Sequence, residues 1–253
     1  MLNYKLHDNH QKENLVFIHG FGGSTKTWKK QIEFFSQKFN LLLIDLPGHG
    51  NSVKKKKITP EYVSMKIKEV LDFLKIKKAQ FVGLSLGSLV VAHFAIEYPD
   101  YVKSIVFGGA AIKIQGIYKY LLHLINIVKG FLPHRFLFNL FASIMLPKQN
   151  HKKSRNIFIR EGKKMSRKDF LAWVRYISEI ANANKLLNKL KALDIKMLFI
   201  SGDEDGCFLS GTKTAAQKLE SKLKLIHHCG HVCTIERADE FNQMAFKFLK
   251  ATA

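Results

Sequence analysis

Short apolar runs recur along the chain and are separated by longer stretches of mixed polarity. Each run is continuous and nearly free of charged residues, which is typical of strands that are covered on both faces in a parallel sheet. The runs are LVFIHG from Leu15, LLLIDLPG from Leu41, AQFVGLS from Ala79, SIVFGG from Ser104, MLFISGD from Met197 and LKLIHH from Leu223. They predict parallel strands.

Helical patterns lie between these runs. Pro60 stands near the start of one such pattern, a position that proline favours in helices. Its apolar positions follow a spacing of about 3.6 residues, as do those of the last segment: Val63, Ile67, Val70, Leu71 and Leu74, then Phe241, Met244, Ala245, Phe248 and Leu249. Because strand and helix alternate, we expect an α/β fold with a doubly wound, mostly parallel sheet.

One long region breaks the alternation, because residues 112–187 contain only helical patterns. Residues 116–130 carry a narrow polar stripe and a wide apolar arc, and the segment from Arg135 repeats this arrangement. A further helix is predicted after Ser166, because Ser166 and Asp169 have capping-box spacing. The sequence therefore predicts a helical insertion at 112–187 between two parts of one core, residues 1–111 and 188–253.

Composition agrees with one globular domain that carries an insertion, since 47% of the 253 residues are apolar. The amino-terminal segment lacks the pattern of a secretion signal, and polar residues interrupt the most apolar region, 116–146, before it reaches membrane-spanning length. The three cysteines, Cys207, Cys229 and Cys233, are typical of reduced thiols rather than a disulfide framework. A cytoplasmic location is expected.

A net charge of +21 raises the question of an anionic partner. The lysines are scattered along the whole chain, and the one dense run, Lys54 to Lys57, follows a glycine-rich loop where a solvated surface is the ordinary interpretation. We therefore expect no nucleic-acid partner, while weak contact with an anionic membrane surface stays open. Binding of either kind would weaken steeply with salt.

The first candidate for chemistry is Ser85, in the pentapeptide Gly-Leu-Ser-Leu-Gly at 83–87. The pentapeptide follows a predicted strand and opens a predicted helix, a setting that holds a serine on a sharp turn with its hydroxyl exposed. The competing interpretation is a glycine-rich turn whose serine is incidental.

A nucleophilic serine needs a base to take its proton and an acid to orient that base. Asp205 follows one predicted strand in GDED, and His231 follows the next in HCGHVC, so the order serine, aspartate, histidine is that of a nucleophile elbow. Asp203, His227 and His228 are nearby alternatives, although the two histidines fall within a strand run. A metal site that combines His231 with the cysteines is a weaker hypothesis, because C-x-H-x-C is not the usual zinc spacing.

Several motifs in this order resemble those of the α/β-hydrolases, specifically the esterase, lipase and acyl-hydrolase group with a helical cap. The matching stretches are HGFGGS at His19 to Ser24, DLPGHGNS at Asp45 to Ser52, GLSLGS around Ser85, GDED around Asp205, and GHVCTIERADEFN around His231. The resemblance implies a sheet of about seven strands, because the short segment before Leu15 leaves no counterpart for the first of the family's usual eight.

The resemblance also assigns roles. It makes Ser85 the nucleophile, His231 the general base and then general acid, and Asp205 the group that orients the imidazole. It favours Asp205 over Asp203, because the family's acid usually stands three residues after the glycine. It places the backbone N–H groups of Phe21 and Leu86 at the oxyanion, gives His19 and His49 structural positions, and requires no metal or organic cofactor.

The expected activity is hydrolysis of a carboxylic ester through an acyl-enzyme on Ser85, with thioester or amide cleavage, acyl transfer and C–C hydrolysis as relatives of that reaction. The apolar insertion favours a small hydrophobic or acyl substrate, and the sequence leaves the oligomeric state open. Candidate pocket walls are Phe21, Leu121, Leu124, Phe136, Phe138, Phe141 and Trp173. The rival hypothesis is a hydrolase-like ligand-binding signalling protein with slow or no turnover.

Overall fold

The computed structural model describes residues 1–53, 57–113, 120, 127, 131–179 and 183–253. Its sheet has seven strands in the order β1-β3-β2-β4-β5-β6-β7. The strands are β1 Tyr4–His7, β2 Asn14–Ile18, β3 Asn40–Ile44, β4 Ala79–Leu84, β5 Val102–Gly108, β6 Lys196–Gly202 and β7 Lys222–Ile226.

The helices fall into three groups along the chain. In the first part of the core they are α1 Lys29–Phe35, α2 Pro60–Phe73 and α3 Leu86–Glu97, with short 3₁₀ turns at Thr25–Trp28 and Pro99–Tyr101. Between β5 and β6 lie α4 His134–Met145, α5 Lys152–Gly162, α6 Arg167–Glu179 and α7 Ala183–Lys191, called here the inserted helices. The second part of the core contributes α8 Leu209–Lys218, α9 Cys233–Glu236 and α10 Ala238–Ala251.

All of the strands expected from the apolar runs are present, and they pair in parallel. The predicted fold class, a doubly wound and mostly parallel α/β sheet, is confirmed. The one strand that the apolar pattern missed is β1, which pairs antiparallel with β3 at the edge of the sheet. Its four residues are half-buried or exposed and include two polar side chains, so they do not form a continuous apolar run.

The core lies on both faces of the sheet. Along β2, Val16 and Ile18 point to one face, where they join the buried residues of α2 and α3. Leu15 and Phe17 point to the other face, where Trp28, Phe35 and Phe241 cover them. Because consecutive side chains of a strand face opposite ways, only a strand with two covered faces is apolar throughout. This is why the apolar runs located the strands.

Two of the helices predicted within the insertion, the second and the last, are present where the sequence placed them. Helix α4 covers the segment from Arg135, and α6 starts after Ser166, whose Oγ accepts a hydrogen bond from the N–H of Asp169 at 3.1 Å. The expected boundary at residue 187 falls inside α7. Most of the predicted helix at 116–130 lies outside the described residues. Among the helices that are described, none has the length and apolarity needed to cross a bilayer.

Candidate active site

Ser85 occupies the sharp turn between β4 and α3. Its backbone has φ 53° and ψ −116°, a conformation that non-glycine residues rarely adopt and that the surrounding structure must impose. A Cβ on Gly83 would lie 2.6 Å from the carbonyl oxygen of Gly87, and one on Gly87 would overlap the carbonyl oxygen of Ile18. Both glycines are therefore needed for strand and helix to approach this closely, which leaves the Ser85 side chain at the carboxyl edge of the sheet.

His231 links Ser85 to Asp205. Its Nε2 lies 2.8 Å from Oγ of Ser85, and its Nδ1 lies 2.8 Å from Oδ2 of Asp205. Asp205 follows β6 and His231 follows β7, so both reach the edge of the sheet where β4 delivers Ser85. Asp205 and His231 are almost completely buried. A carboxylate at Nδ1 holds the proton on that nitrogen and leaves the lone pair of Nε2 facing the serine hydroxyl.

The acid turn distinguishes Asp205 from Asp203. Oδ1 of Asp205 accepts a hydrogen bond from the N–H of Phe208 at 3.1 Å, and the Phe208 ring stacks on the His231 ring with centroids 4.5 Å apart. Asp203 faces outward and pairs with the exposed His227 at 3.0 Å. The structure thus brings Asp205, and not Asp203, into contact with His231, and it is His231, not His227, that reaches Ser85.

The cysteines near His231 are buried and free. Burial raises the pKa of both the Cys229 and the Cys233 thiol, so each is protonated as a free thiol. Within the described part of the chain, no three histidine, cysteine or acidic side chains come together in a way that could hold a metal ion.

The loop after β2 lies directly against the serine turn. A Cβ on Gly20 would be 3.3 Å from Cβ of Ser85 and from the carbonyl oxygen of Leu84. Phe21 follows in this loop, and Leu86 is the first residue of α3, where a backbone N–H has no acceptor within its own helix. Neither N–H donates to any residue that the structure describes. Two amide donors are therefore available on this side of Ser85.

Two buried histidines hold that loop in place. Nε2 of His49 accepts the N–H of Gly22 at 3.1 Å, and Nε2 of His19 accepts the N–H of Leu46 at 3.0 Å. Burial lowers the pKa of both imidazoles, so both are neutral and keep the lone pairs that these bonds need. His19 and His49 have the structural placement that their motifs implied.

Two cavities meet at Ser85. The Phe141 cavity has almost wholly apolar walls. It is lined by Phe21, Ser85, Leu86, Leu89, Ala111, Phe141, Ile177 and Phe208. The Ile157 cavity, which is partly open to solvent, lies on the other side. It is lined by Gly20 to Gly23, Thr27, Leu84, Ser85, Ser154, Ile157, Phe158, Glu161, His231, Val232 and Ile235. A substrate at Ser85 thus meets apolar walls on both sides.

The predicted pocket residues differ in where the structure places them. Phe21 and Phe141 line the cavities. Phe138 is buried behind them and stacks on Phe21, with ring centroids 5.1 Å apart. Phe136 lies on the outer side of α4 and is 53% exposed. It is two positions from the buried Phe138, and residues two apart on a helix point about 200° apart, since each residue turns the helix by about 100°.

Trp173, Leu121 and Leu124 complete the list. Trp173 is fully buried, packs edge-on against His49 and donates its Nε1–H to the carbonyl oxygen of Pro47 at 2.8 Å. It therefore supports the loop that carries His49 and is absent from the walls of both cavities. Leu121 and Leu124 lie outside the described residues.

Several side chains near the site have no counterpart in the sequence predictions. Phe208 was not singled out, although it follows Asp205 by three residues, and Ile157 and Phe158 belong to a helix with no clear apolar stripe. His151 and Glu236 also lie against the His231 loop. The local signal available was nearness in sequence, since Phe208 stands three residues after Asp205 and Glu236 five residues after His231.

Comparison with known proteins identifies a family and a shared fold. A family model described as "alpha/beta hydrolase fold" matches residues 13–238. A curated relative, a pimeloyl-[acyl-carrier protein] methyl ester esterase of Wigglesworthia glossinidia brevipalpis, is 32% identical over 209 residues, which are 76% of this chain and 74% of that protein.

Solved structures match over nearly the whole length. An enol-lactonase from Burkholderia xenovorans LB400 superposes with a TM-score of 0.84 at 20% identity, covering 98% of this chain and 96% of that chain. MenH from S. aureus superposes with a TM-score of 0.82 at 22% identity, covering 100% and 99%. At these identities the likeness shows a shared fold.

Proposed function

The chain belongs to the alpha/beta hydrolase fold family, and we propose that it is a serine hydrolase that cleaves a carboxylic ester through an acyl-enzyme on Ser85. The observation that carries the proposal is the hydrogen-bonded series of Asp205, His231 and Ser85, in which both contacts are 2.8 Å. A serine hydroxyl alone is a weak nucleophile, and such a series is what activates it. The esterase relative supports ester hydrolysis as the reaction class.

The geometry gives each group one task. Oγ of Ser85 attacks the ester carbonyl carbon while Nε2 of His231 takes the hydroxyl proton, and Asp205 stabilises the imidazolium that forms. The N–H groups of Phe21 and Leu86 donate to the oxyanion. His231 then returns the proton to the leaving alcohol as the C–O bond breaks. A water molecule, deprotonated by His231, attacks the acyl-enzyme, and Ser85 recovers its proton when the acid departs.

The apolar cavities support a hydrophobic acyl group. Phe21, Leu89 and Phe141 present hydrocarbon to the Phe141 cavity, and burial of each methylene contributes about 0.8 kcal/mol to binding. A sugar or a peptide would leave hydroxyl or amide groups without partners against these walls, which is costly.

A series of p-nitrophenyl esters of increasing chain length tests the proposal. We expect kcat/KM to rise with chain length until the acyl group fills the cavity and to fall beyond that length, since each added methylene is first buried and then excluded. Ser85→Ala is the control. Equal hydrolysis by the two proteins would refute the proposal. Stoichiometric ligand binding without turnover would support the signalling hypothesis instead.

A second candidate is hydrolysis of an ester on an acyl chain that an acyl-carrier protein presents, as in the name of the Wigglesworthia relative. The observation that favours it is a charged groove that shares Thr27, Ile157, Glu161 and Ile235 with the Ile157 cavity. Six basic and five acidic side chains line this groove, and among the basic ones Lys26, Lys29 and Lys153 pair with no acidic side chain in the described part of the chain. These lysines would suit an anionic carrier.

Salt dependence separates this candidate from hydrolysis of free esters. With a methyl ester on an acyl-carrier protein, we expect KM to rise with ionic strength and to rise further in the Lys29→Glu/Lys153→Glu variant, because both changes weaken attraction to an anionic carrier. The free methyl ester should respond to neither change, and Lys250→Glu, outside the groove, serves as the matched control. Identical KM values for carrier-borne and free esters would argue against a carrier.

A further inference from the structure

His151 lies in the turn between α4 and α5 and is completely buried, although its side chain is polar. Its carbonyl oxygen accepts a hydrogen bond from the Ser154 hydroxyl at 2.9 Å, so the residue is fixed to the start of α5. Ser154, Ile157, Phe158 and Glu161 of α5 form one wall of the Ile157 cavity. His151 therefore stands at the start of α5, and α5 is a helix that a substrate in the Ile157 cavity would contact.

The imidazole of His151 faces the acid turn. Its Nε2 lies 2.9 Å from Oε2 of Glu204, the residue between Asp203 and Asp205. Hydrogen bonds from Asn150, Lys148 and His151 lower the pKa of Glu204 to about 2, so this carboxylate is ionised at any working pH. The N–H of Glu204 donates to the carbonyl oxygen of Cys229 at 2.9 Å, which joins the acid turn to the His231 loop.

The same imidazole packs on the His231 loop itself. A Cβ on Gly230 would lie 2.9 Å from both Nε2 and Cε1 of His151, so the ring fills the space in front of the Gly230 backbone. Glu236 completes the contact. Its side chain is 5% exposed, and its two oxygens accept the N–H groups of Gly230 at 2.8 Å and Val232 at 3.1 Å, the neighbours of His231 on either side. Nε2 of His151 lies 3.7 Å from Oε2 of Glu236.

We propose that His151 is a positioning residue that fixes the His231 loop relative to α5, acting through Glu204, Gly230 and Glu236. The inference rests on the proposed function, because it gives His151 a role only if His231 is the base. Because His151 is fixed to the start of α5, a shift of α5 would move the His151 ring against the backbone of Gly230. The position of the His231 imidazole depends on that backbone. The charged groups that face His151 are Glu204 and Glu236, with Lys148 and His228 on the outer side of Glu204.

His151→Ala should lower kcat by about 10- to 100-fold, because a misplacement near 1 Å at the reacting groups has this effect. KM should change little, since His151 lines neither cavity at Ser85. His151→Gln should recover most of the rate, because its amide can donate to Glu204 from nearly the same place. Each rate is measured well below the melting temperature of that variant, and the melting curve is recorded separately.

His228→Ala is the matched control: His228 faces the same carboxylate, with its Nδ1 3.6 Å from Oε1 of Glu204, but its side chain is 81% exposed whereas that of His151 is buried. Its kcat should equal that of the wild type. If His151→Ala does not fold, Glu236→Gln tests the same contact, because its amide group cannot accept both N–H groups, and we expect a fall in kcat there too.

The inference is overturned if His151→Ala, or Glu236→Gln in its place, has the wild-type kcat, or if His151→Gln is as slow as His151→Ala. Its failure differs from failure of the proposed function. In the first case the wild type turns over and the variant equals it; in the second the wild type itself hydrolyses no ester and Ser85 takes no fluorophosphonate label.

Discussion

Ser85→Ala is expected to reduce kcat for an ester substrate by about 10⁶-fold, the effect of removing the nucleophile from a serine hydrolase. Without Oγ no acyl-enzyme can form, and the donors at Phe21 and Leu86 can only assist the slow attack of water. The measurement is kcat with the best ester of the p-nitrophenyl series, after circular dichroism has shown that the variant is folded.

Ser221→Ala is the control for Ser85→Ala. Ser221 stands before β7, and its hydroxyl donates to the carbonyl oxygen of Leu219 at 3.2 Å, away from His231. This variant should keep the wild-type kcat. Comparable rates for the Ser85→Ala and wild-type proteins would mean that another group performs the chemistry.

Asp205→Asn is expected to lower kcat by about 10⁴-fold with little change in KM, because an amide at this place favours the wrong tautomer of the imidazole and does not stabilise its charged form. The effect depends on the buried 2.8 Å contact between Oδ2 and Nδ1 of His231. The measurement is the steady-state rate over a range of substrate concentrations.

Asp203→Asn makes the same chemical change two residues away and is the matched control. Asp203 pairs with His227, whose side chain is 85% exposed, and surface pairs of this kind contribute about 0–1 kcal/mol to stability. We expect its kcat to stay within the range of the wild type. Equal losses in the two variants would contradict the assignment of Asp205.

The strands and the serine turn could be predicted because their signals are local. A strand that is covered on both faces needs apolar side chains on both of them, and β2 and β4 are apolar at every position except Asn14 and Gln80. The serine turn needs Gly83 and Gly87 for reasons of space alone. No local signal in the sequence separates Asp205 from Asp203, and only the resemblance to a family favours Asp205. Burial beside His231 is the physical reason that the geometry supplies.

Other features could not be predicted because they depend on how distant segments pack. An apolar stripe on α4 does not show which side of the helix faces a cavity. The sequence therefore predicts both Phe136 and Phe141 as pocket walls, although Phe136 is exposed. Trp173 has the pattern of a pocket residue, but its Nε1–H is directed at Pro47. The contact between His151 and Glu204 joins residues 53 positions apart, and His151 belongs to none of the motifs.

The central claim is that Ser85 forms the covalent intermediate. Its most direct test is labelling with a fluorophosphonate probe, followed by proteolysis and mass spectrometry of the labelled peptide. We predict one label for each molecule, located on Ser85, no label on Ser85→Ala, and slower labelling of Asp205→Asn. A label on another residue, or equal labelling of wild type and Ser85→Ala, would contradict the claim.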